Sequence, residues 1–256
     1  MASMDLALKD RVYLVTGASR GLGRATAEVL VAEGAKVVVS SRDRDSVDAC
    51  VAALGGSESA YGIAADNADP GTPDALITAA RDIFGRLDGA LISVGGPTAG
   101  PAMERTDEEW VTAFEAVFLG AVRLATALGR ELGDGGSIVF VLSTSVKQPL
   151  SGLAISNGLR PGLAMVAKNL ADELGPRGIR VNGLLPGRVD TERVRELDAR
   201  SDDPEAARKA AAESIPLRRY GRPEEFGRVA AFLLSPASGY LTGAMVPVDG
   251  GHTRAL

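Results

Sequence analysis

The sequence contains few of the residues that build metal centres and disulfides. Among 256 residues there is one cysteine, Cys50, and one histidine, His252. A single cysteine excludes a disulfide within the chain and a cysteine-cluster metal site, and a single histidine leaves little for a histidine-based metal site or catalytic triad. We therefore expect no metal ion. Cys50 shares a helical face with Val47, Val51 and Leu54, which favours a position in the core.

An excess of positive charge and long apolar runs are also missing. The formal net charge is −5 and the sequence pI is about 5.1, whereas proteins that bind nucleic acid or membrane surfaces are usually basic. No uninterrupted run reaches the roughly 18 apolar residues of a membrane span, and the first residues lack a signal-peptide core. We therefore expect a cytoplasmic protein that binds neither nucleic acid nor membrane.

Apolar segments alternate with amphipathic ones along the whole sequence. Strands that alternate with helices predict parallel βαβ units, and hence an α/β fold with a doubly wound, Rossmann-like sheet of about seven strands and helices on both faces. No linker-like stretch interrupts the pattern, so residues 1–256 are predicted to form a single domain. The predicted strands are 11–16, 36–41, 59–65, 88–94, 136–142, 179–185 and 244–248. The predicted helices are about 21–34, 43–54, 70–85, 107–132, 152–175 and 223–235.

Residues 188–220 differ from the rest of the chain. They are dense in charges of both signs and include Pro204, which predicts exposed helical pieces outside the sheet. This segment is either a solvated surface excursion or a mobile lid over a substrate pocket, since long insertions at the carboxyl end of a strand often cover a site.

A glycine-rich turn follows the first predicted strand. The order strand, turn, helix places unpaired backbone N–H groups and the positive end of a helix dipole at the turn, which suits a phosphate. The spacing is Gly-x-x-x-Gly-x-Gly, not the Gly-x-Gly-x-x-Gly of the common dinucleotide fingerprint. The segment is either a simple turn or a pyrophosphate-binding loop, whose contact residues would be Gly17, Ser19, Arg20, Gly21, Leu22 and Gly23.

With the preceding threonine, the turn reads Thr-Gly-Ala-Ser-Arg-Gly-Leu-Gly over residues 16–23. This segment, on the first strand of a chain of this length, resembles the short-chain dehydrogenase/reductase family. Segments 182–187, 241–243 and 248–251 resemble the same family, so the resemblance covers essentially the whole chain. It implies a lid at 188–220.

The resemblance also carries expectations about cofactor, substrate and assembly. The family transfers a hydride between a nicotinamide and a carbonyl or alcohol carbon. The backbone of Pro186 and Gly187 would meet the nicotinamide amide, and Thr191 would contact the same end of the cofactor. Similarity to the family's 3-oxoacyl-thioester reductases makes such a thioester a candidate substrate. A homo-oligomer, a dimer or tetramer, would form through the helices predicted over 107–132 and 152–175.

The end of the second strand predicts which nicotinamide cofactor is bound. NAD-binding sites usually place Asp or Glu there to accept from the ribose 2′-hydroxyl, whereas this chain has Ser41 followed by Arg42. A guanidinium pairs with a 2′-phosphate, and Arg20 could close on the same phosphate. The alternative is that both are surface arginines, and we favour the phosphate and expect NADP(H). Asp66 and Asn67 fall where the family contacts adenine, or serve as turn or helix-cap residues.

The catalytic positions depart from the family pattern. Ser143 matches the family's catalytic serine, but the positions of the usual Tyr-x-x-x-Lys hold Ser156 and Arg160, and the usual helix asparagine is Val117. A phenol has a pKa near 10, which a neighbouring ammonium can lower, while an aliphatic hydroxyl is a far weaker acid. Arg160 is permanently protonated, so it can hold a ribose or set a positive potential but cannot relay a proton.

Two hypotheses follow. The first is an NADP(H)-dependent oxidoreductase that interconverts a ketone and a secondary alcohol with a non-standard proton donor, using Ser143, Ser156 and Arg160. The second is an NADP(H)-binding protein with a degenerate active site that acts as a sensor or through a partner. Lys147, Thr144 and Ser145, on the loop that borders the site, could supply a proton, as could the phenols Tyr220 and Tyr240 in segments away from the catalytic helix. Exposure of the lysine and packing of the tyrosines are favoured over these roles.

Overall fold

A seven-stranded parallel sheet organises residues 5–255, the part of the chain that the computed structural model describes. The strand order is β3-β2-β1-β4-β5-β6-β7, and every neighbouring pair is parallel. The order reverses between β1 and β4, which is where open α/β sheets bind ligands. This confirms the predicted fold class. The strands are β1 Val12–Thr16, β2 Lys36–Ser41, β3 Ala60–Ala64, β4 Gly89–Ile92, β5 Ser137–Val141, β6 Arg180–Pro186 and β7 Met245–Val248.

Helices cover both faces of the sheet. One apolar core packs α3, α5 and α6 against one face, and a second packs α1, α2 and α9 against the other. Adjacent residues of β2 divide between them, because successive side chains of a strand point to opposite faces. The helices are α1 Gly21–Ala32, α2 Arg44–Ala53, α3 Thr72–Phe84, α4 Asp107–Ala113, α5 Gly120–Glu131, α6 Ala154–Leu174, α7 Glu192–Asp198, α8 Pro204–Ser214 and α9 Pro223–Leu234.

The long helix predicted over 107–132 is interrupted. Residues Phe114–Leu119 form a π-helical turn between α4 and α5. The backbone of Gly120 lies so close to the carbonyl oxygen of Asn67 that a Cβ atom would overlap it. By length and composition, Asp107–Glu131 is apolar enough to cross a membrane. Part of this apolar surface is core, because Leu124 and Leu128 pack in the cluster beneath the sheet.

The segment 188–220 contains α7 and α8 and joins β6 to α9. Its two short helices carry many charged side chains, as the sequence predicts. Asp190 binds Arg195 and Arg208 at 3.0 and 3.2 Å. Asp198, which is 8% exposed, binds Arg188 at 2.5 Å. The segment therefore has an internal network of ion pairs.

Candidate active site

Glycines at the end of β1 fix the shape of the first turn. Gly17 has φ +59°, and a Cβ atom there would lie 2.9 Å from the carbonyl oxygen of Ser93. A Cβ atom at Gly23 would overlap the Gly17 carbonyl oxygen, so the turn can close only with glycine at both positions. Helix α1 begins at Gly21 without a side-chain cap. Its first N–H groups therefore remain open to an anion.

Hydrogen bonds of the Thr16 and Cys50 side chains hold the glycine turn in place. Thr16 Oγ1 donates to the carbonyl oxygen of Ser93 at 2.7 Å and accepts from the Ser93 N–H at 2.9 Å. Cys50 is buried, and its Sγ donates to the carbonyl oxygen of Ala18 at 3.3 Å. Burial raises the pKa of the Cys50 thiol. The expectation that Cys50 is a core residue is confirmed, and it also supports the glycine turn.

The residues predicted for the adenosine end lie at the carboxyl ends of β2 and β3. The Ser41 hydroxyl oxygen is buried and has no hydrogen-bond partner among residues 5–255, and Arg42 is exposed. Arg20 is 3.7 Å from Glu196 of α7, in a pair exposed to solvent. Asp66 accepts the N–H of Ala68 in a local turn at 3.0 Å.

Asn67 has a different set of contacts. Its Nδ2 lies 3.5 Å from the carbonyl oxygen of Ser93, so it joins the end of β3 to the end of β4. The structure therefore gives Asp66 the turn geometry that the sequence left as an alternative, and brings Asn67 to the edge of the glycine turn.

The residues predicted for the nicotinamide end approach the same turn from β6. Gly187 donates its N–H to the carbonyl oxygen of Val248 at 3.1 Å, which anchors the chain after Pro186. The hydroxyl of Thr191 caps the first turn of α7 by accepting the Val194 N–H at 3.4 Å. The Thr191 side chain also lies 3.6 Å from the point where a Cβ of Gly21 would be. Thr191 and the glycine turn are thus neighbours.

Three serines meet beyond the end of β5. The Ser143 hydroxyl oxygen accepts the N–H of Ser145 at 3.1 Å. The hydroxyl oxygens of Ser145 and Ser156 are 3.5 Å apart, and both side chains are buried. The structure therefore brings the predicted pair, Ser143 and Ser156, together through Ser145. The Ser145 N–H uses one of the two acceptor positions of the Ser143 hydroxyl and leaves its O–H donor available for a substrate oxygen.

Arg160 follows Ser156 by four residues on α6 and is 4% exposed. Its guanidinium donates to the carbonyl oxygen of Val141, at the end of β5, and to that of Val94 at 3.4 Å. Its Nε is buried without a hydrogen-bond partner in the described part of the chain. Burial lowers the pKa of Arg160 to about 10. The site therefore contains a buried cation whose terminal nitrogens are bound to backbone carbonyls.

The other proton-donor candidates are placed differently from one another. Lys147 is exposed and Thr144 is buried. Tyr220 is buried, and its hydroxyl donates to Asp198 at 3.2 Å while Arg208 lies 4.4 Å above its ring. Burial raises the pKa of Tyr220, which makes it a poor acid. The expectation that Tyr240 packs is wrong, because its side chain is fully exposed.

Several residues that shape the site carried no signal in the sequence patterns used above. Arg193 of α7 donates to the carbonyl oxygen of Pro97 at 2.7 Å, and Arg200 donates to that of Ala99 at 3.3 Å. These contacts join the 188–220 segment to the loop after β4. Asn157, beside Ser156, binds the backbone of Leu150. An asparagine near the start of a helix, where its propensity is poor, is the signal that could have identified it.

The parallel sheet, its switch point and its glycine turn define a Rossmann-type α/β protein. A family model described as Enoyl-(Acyl carrier protein) reductase matches residues 17–253. The chain is 37% identical to the short-chain reductase protein NovJ of Streptomyces niveus, over 95% of this chain and 94% of NovJ. It is 36% identical to levodione reductase of Leifsonia aquatica, over 96% and 95% of the two chains. The chain therefore belongs to the short-chain dehydrogenase/reductase family.

A solved structure extends the comparison to the fold. L-Sorbose reductase from Gluconobacter frateurii, complexed with NADPH and L-sorbose, superposes with a TM-score of 0.89 at 31% identity, over 99% of this chain and 100% of that one. The same α/β architecture thus underlies both proteins along their full length.

Proposed function

We propose that this protein is an NADP(H)-dependent oxidoreductase that interconverts a ketone and a secondary alcohol. The observation that carries the proposal is the group of three serines beyond the end of β5, at the same carboxyl edge of the sheet as the glycine turn. Two relatives named above are reductases of a carbonyl compound, levodione or L-sorbose, and the second was solved with NADPH. A 3-oxoacyl thioester is a further candidate substrate.

The residues present fit the cofactor. The turn at Gly17, Gly21 and Gly23 leaves backbone N–H groups for a pyrophosphate, and the unpaired hydroxyl of Ser41 precedes Arg42, which suits a 2′-phosphate. Leu22 and Ser19 lie in the same turn, and Pro186, Gly187 and Thr191 approach it from β6. The bound nicotinamide would supply the hydride.

The protein's own residues would act on the substrate oxygen. The Ser143 O–H donates to the carbonyl oxygen, and the Ser145 N–H holds Ser143 in place. The buried guanidinium of Arg160 adds positive potential where negative charge develops on that oxygen. Ser156, joined to this group through Ser145, is the candidate entry for the proton that the oxygen takes up.

A degenerate site that only binds NADP(H) is the second candidate. The observation that favours it is the commitment of both terminal nitrogens of Arg160 to backbone carbonyls. A guanidinium held in this way has fewer N–H groups left for a ribose or a proton network, and the aliphatic hydroxyl of Ser156 is a far weaker proton donor than a phenol.

NADPH oxidation with a panel of ketones separates the two candidates. Levodione, L-sorbose and an acetoacetyl thioester are tested with the natural protein, Ser143→Ala and the double variant Ser156→Tyr/Arg160→Lys. NADPH binding and thermal melting are measured for each protein. We expect turnover by the natural protein and a loss of about 10²–10³-fold in kcat for Ser143→Ala.

Two outcomes would contradict the oxidoreductase. If the natural protein binds NADPH but oxidises none with any ketone, and the double variant gains activity, the protein is a cofactor-binding module. If the natural protein fails to bind NADPH, both candidates fall.

A further inference from the structure

The side chain of Asn157 makes two hydrogen bonds to the backbone of Leu150, in the loop at 147–153. Its Nδ2 donates to the carbonyl oxygen of Leu150 at 2.8 Å, and its Oδ1 accepts the Leu150 N–H at 3.0 Å. One amide side chain thus satisfies both polar groups of a loop residue, as a neighbouring strand would. Asn157 follows Ser156 on α6, so the loop is fixed directly to the turn of helix that carries the site.

This loop is in turn joined to the loop after β4. The Gly100 N–H donates to the carbonyl oxygen of Gly152 at 2.6 Å, and the Gly100 carbonyl oxygen accepts the Ala154 N–H at 3.2 Å. Arg193 and Arg200, which belong to the 188–220 segment, also bind the loop after β4, at the carbonyl oxygens of Pro97 and Ala99. The segments that follow β4, β5 and β6 therefore form one connected cover at the carboxyl edge of the sheet.

We infer that Asn157 is a positioning residue, which holds the 147–153 loop as a wall of the substrate pocket and so sets where the ketone lies relative to Ser143. The inference rests on the proposed function for its substrate. Removing the amide would leave the Leu150 N–H without its partner and the Leu150 carbonyl oxygen with only the Leu153 N–H, at 3.3 Å. We therefore expect the loop and its contact at Gly100 to loosen. Helix α6 itself would not weaken, because alanine has a higher helix propensity than asparagine.

The test compares Asn157→Ala and Asn157→Asp with Asn169→Ala. Asn169 is exposed on the same helix and provides the matched control. Aspartate keeps the acceptor for the Leu150 N–H but places a carboxylate against the Leu150 carbonyl oxygen, so it should behave like alanine. Emission of Trp110, the one tryptophan, reports on an intact α6 because its ring lies against Gly158.

Three quantities are measured on each protein. We expect both Asn157 variants to raise KM for the best ketone of the panel about tenfold, with NADPH affinity within about twofold of the natural protein. We also expect faster hydrogen exchange in peptides covering 147–153 and 96–101. The Asn169 variant should match the natural protein in all three.

Unchanged exchange at 147–153 in both Asn157 variants would overturn the inference, as would an unchanged KM with a faster-exchanging loop. A general loss of protection, with altered Trp110 emission, would assign Asn157 to the stability of α6 instead. If the natural protein reduces no ketone, the proposed function fails and the substrate role falls with it, whereas loop anchoring is still decided by the exchange data.

Discussion

Among single residues, Arg42 is expected to determine the choice between NADPH and NADH. It follows Ser41 at the end of β2 and is exposed, so its guanidinium is free to meet a 2′-phosphate. We expect Arg42→Asp to weaken NADPH binding about 10–100-fold, because a charge-assisted contact is replaced by repulsion. The same variant should bind NADH as well as or better than the natural protein, because aspartate accepts from a ribose 2′-hydroxyl.

Titration of both cofactors by quenching of Trp110 emission measures this change. Arg130→Asp provides a charge-matched control, since Arg130 is an exposed residue at the end of α5. Equal weakening of NADPH and NADH by Arg42→Asp would contradict the assignment of Arg42 to the 2′-phosphate.

The sequence predicts those site residues whose role depends on local spacing. Gly17 and Gly23 belong to one turn, and Ser143 stands at a fixed distance from the end of a strand, so a pattern reveals them. Arg193 binds the backbone carbonyl of Pro97, 96 residues away, and Asn157 binds the backbone of Leu150 in an irregular loop whose course local spacing does not fix. Backbone acceptors have no sequence signature, and for this reason the residues that assemble the cover were missed.

At the level of helices and strands, one buried and one exposed arginine each cap the carboxyl end of a helix, and we expect them to contribute differently to the free energy of unfolding. Arg180 is 6% exposed and donates to the carbonyl oxygens of Leu233 and Ser235 at 2.7 and 3.0 Å, which caps the carboxyl end of α9. Arg177 is exposed and donates to the carbonyl oxygens of Gly129 and Leu132 at the end of α5. Both bind the negative end of a helix dipole.

Replacement of each arginine by methionine separates the two settings. We expect Arg180→Met to lower the free energy of unfolding by about 2–3 kcal/mol, because the buried carbonyl oxygens of Leu233 and Ser235 lose a charged donor and keep only the neutral donors of neighbouring serines. Arg177→Met should cost less than about 1 kcal/mol, since Arg177 is exposed and both of its hydrogen bonds are only partly buried. Urea unfolding of the two variants measures both values, and a smaller loss for Arg180→Met than for Arg177→Met would refute this account of the caps.

On the scale of the whole molecule, apolar periodicity predicts the sheet and nearly all of the helices. The strand predicted over 36–41 coincides with β2. This apolar, β-branched run pairs with β1 on one side and with β3 on the other, through five residue pairs each. The break at Phe114–Leu119 was not predicted. It accompanies close packing of Gly120 on the backbone of Asn67, a long-range contact that local periodicity does not contain.

The outer surface of this same region predicts self-association. Val111, Phe114 and Met165 are large apolar side chains on α4, the π-helical turn and α6, and they are 57%, 42% and 64% exposed. The ring of Phe118 stacks on Phe114 at 5.3 Å between centroids. Exposed apolar groups on adjacent helices are typical of a surface that another molecule covers, and a second copy of this chain would bury two such faces against each other.

We therefore expect a dimer or tetramer in sedimentation equilibrium, and a shift towards monomer for Met165→Glu because a carboxylate would be buried in the interface. Ile83→Glu is the matched control, since Ile83 is an equally apolar residue, 48% exposed, on α3. Equal masses for the natural protein and Met165→Glu would exclude this face as the interface. A lipid bilayer is the other apolar partner that Asp107–Glu131 could have, and flotation with lipid vesicles tests it. We expect the protein not to float with the vesicles, because dimerisation would already remove the same side chains from water.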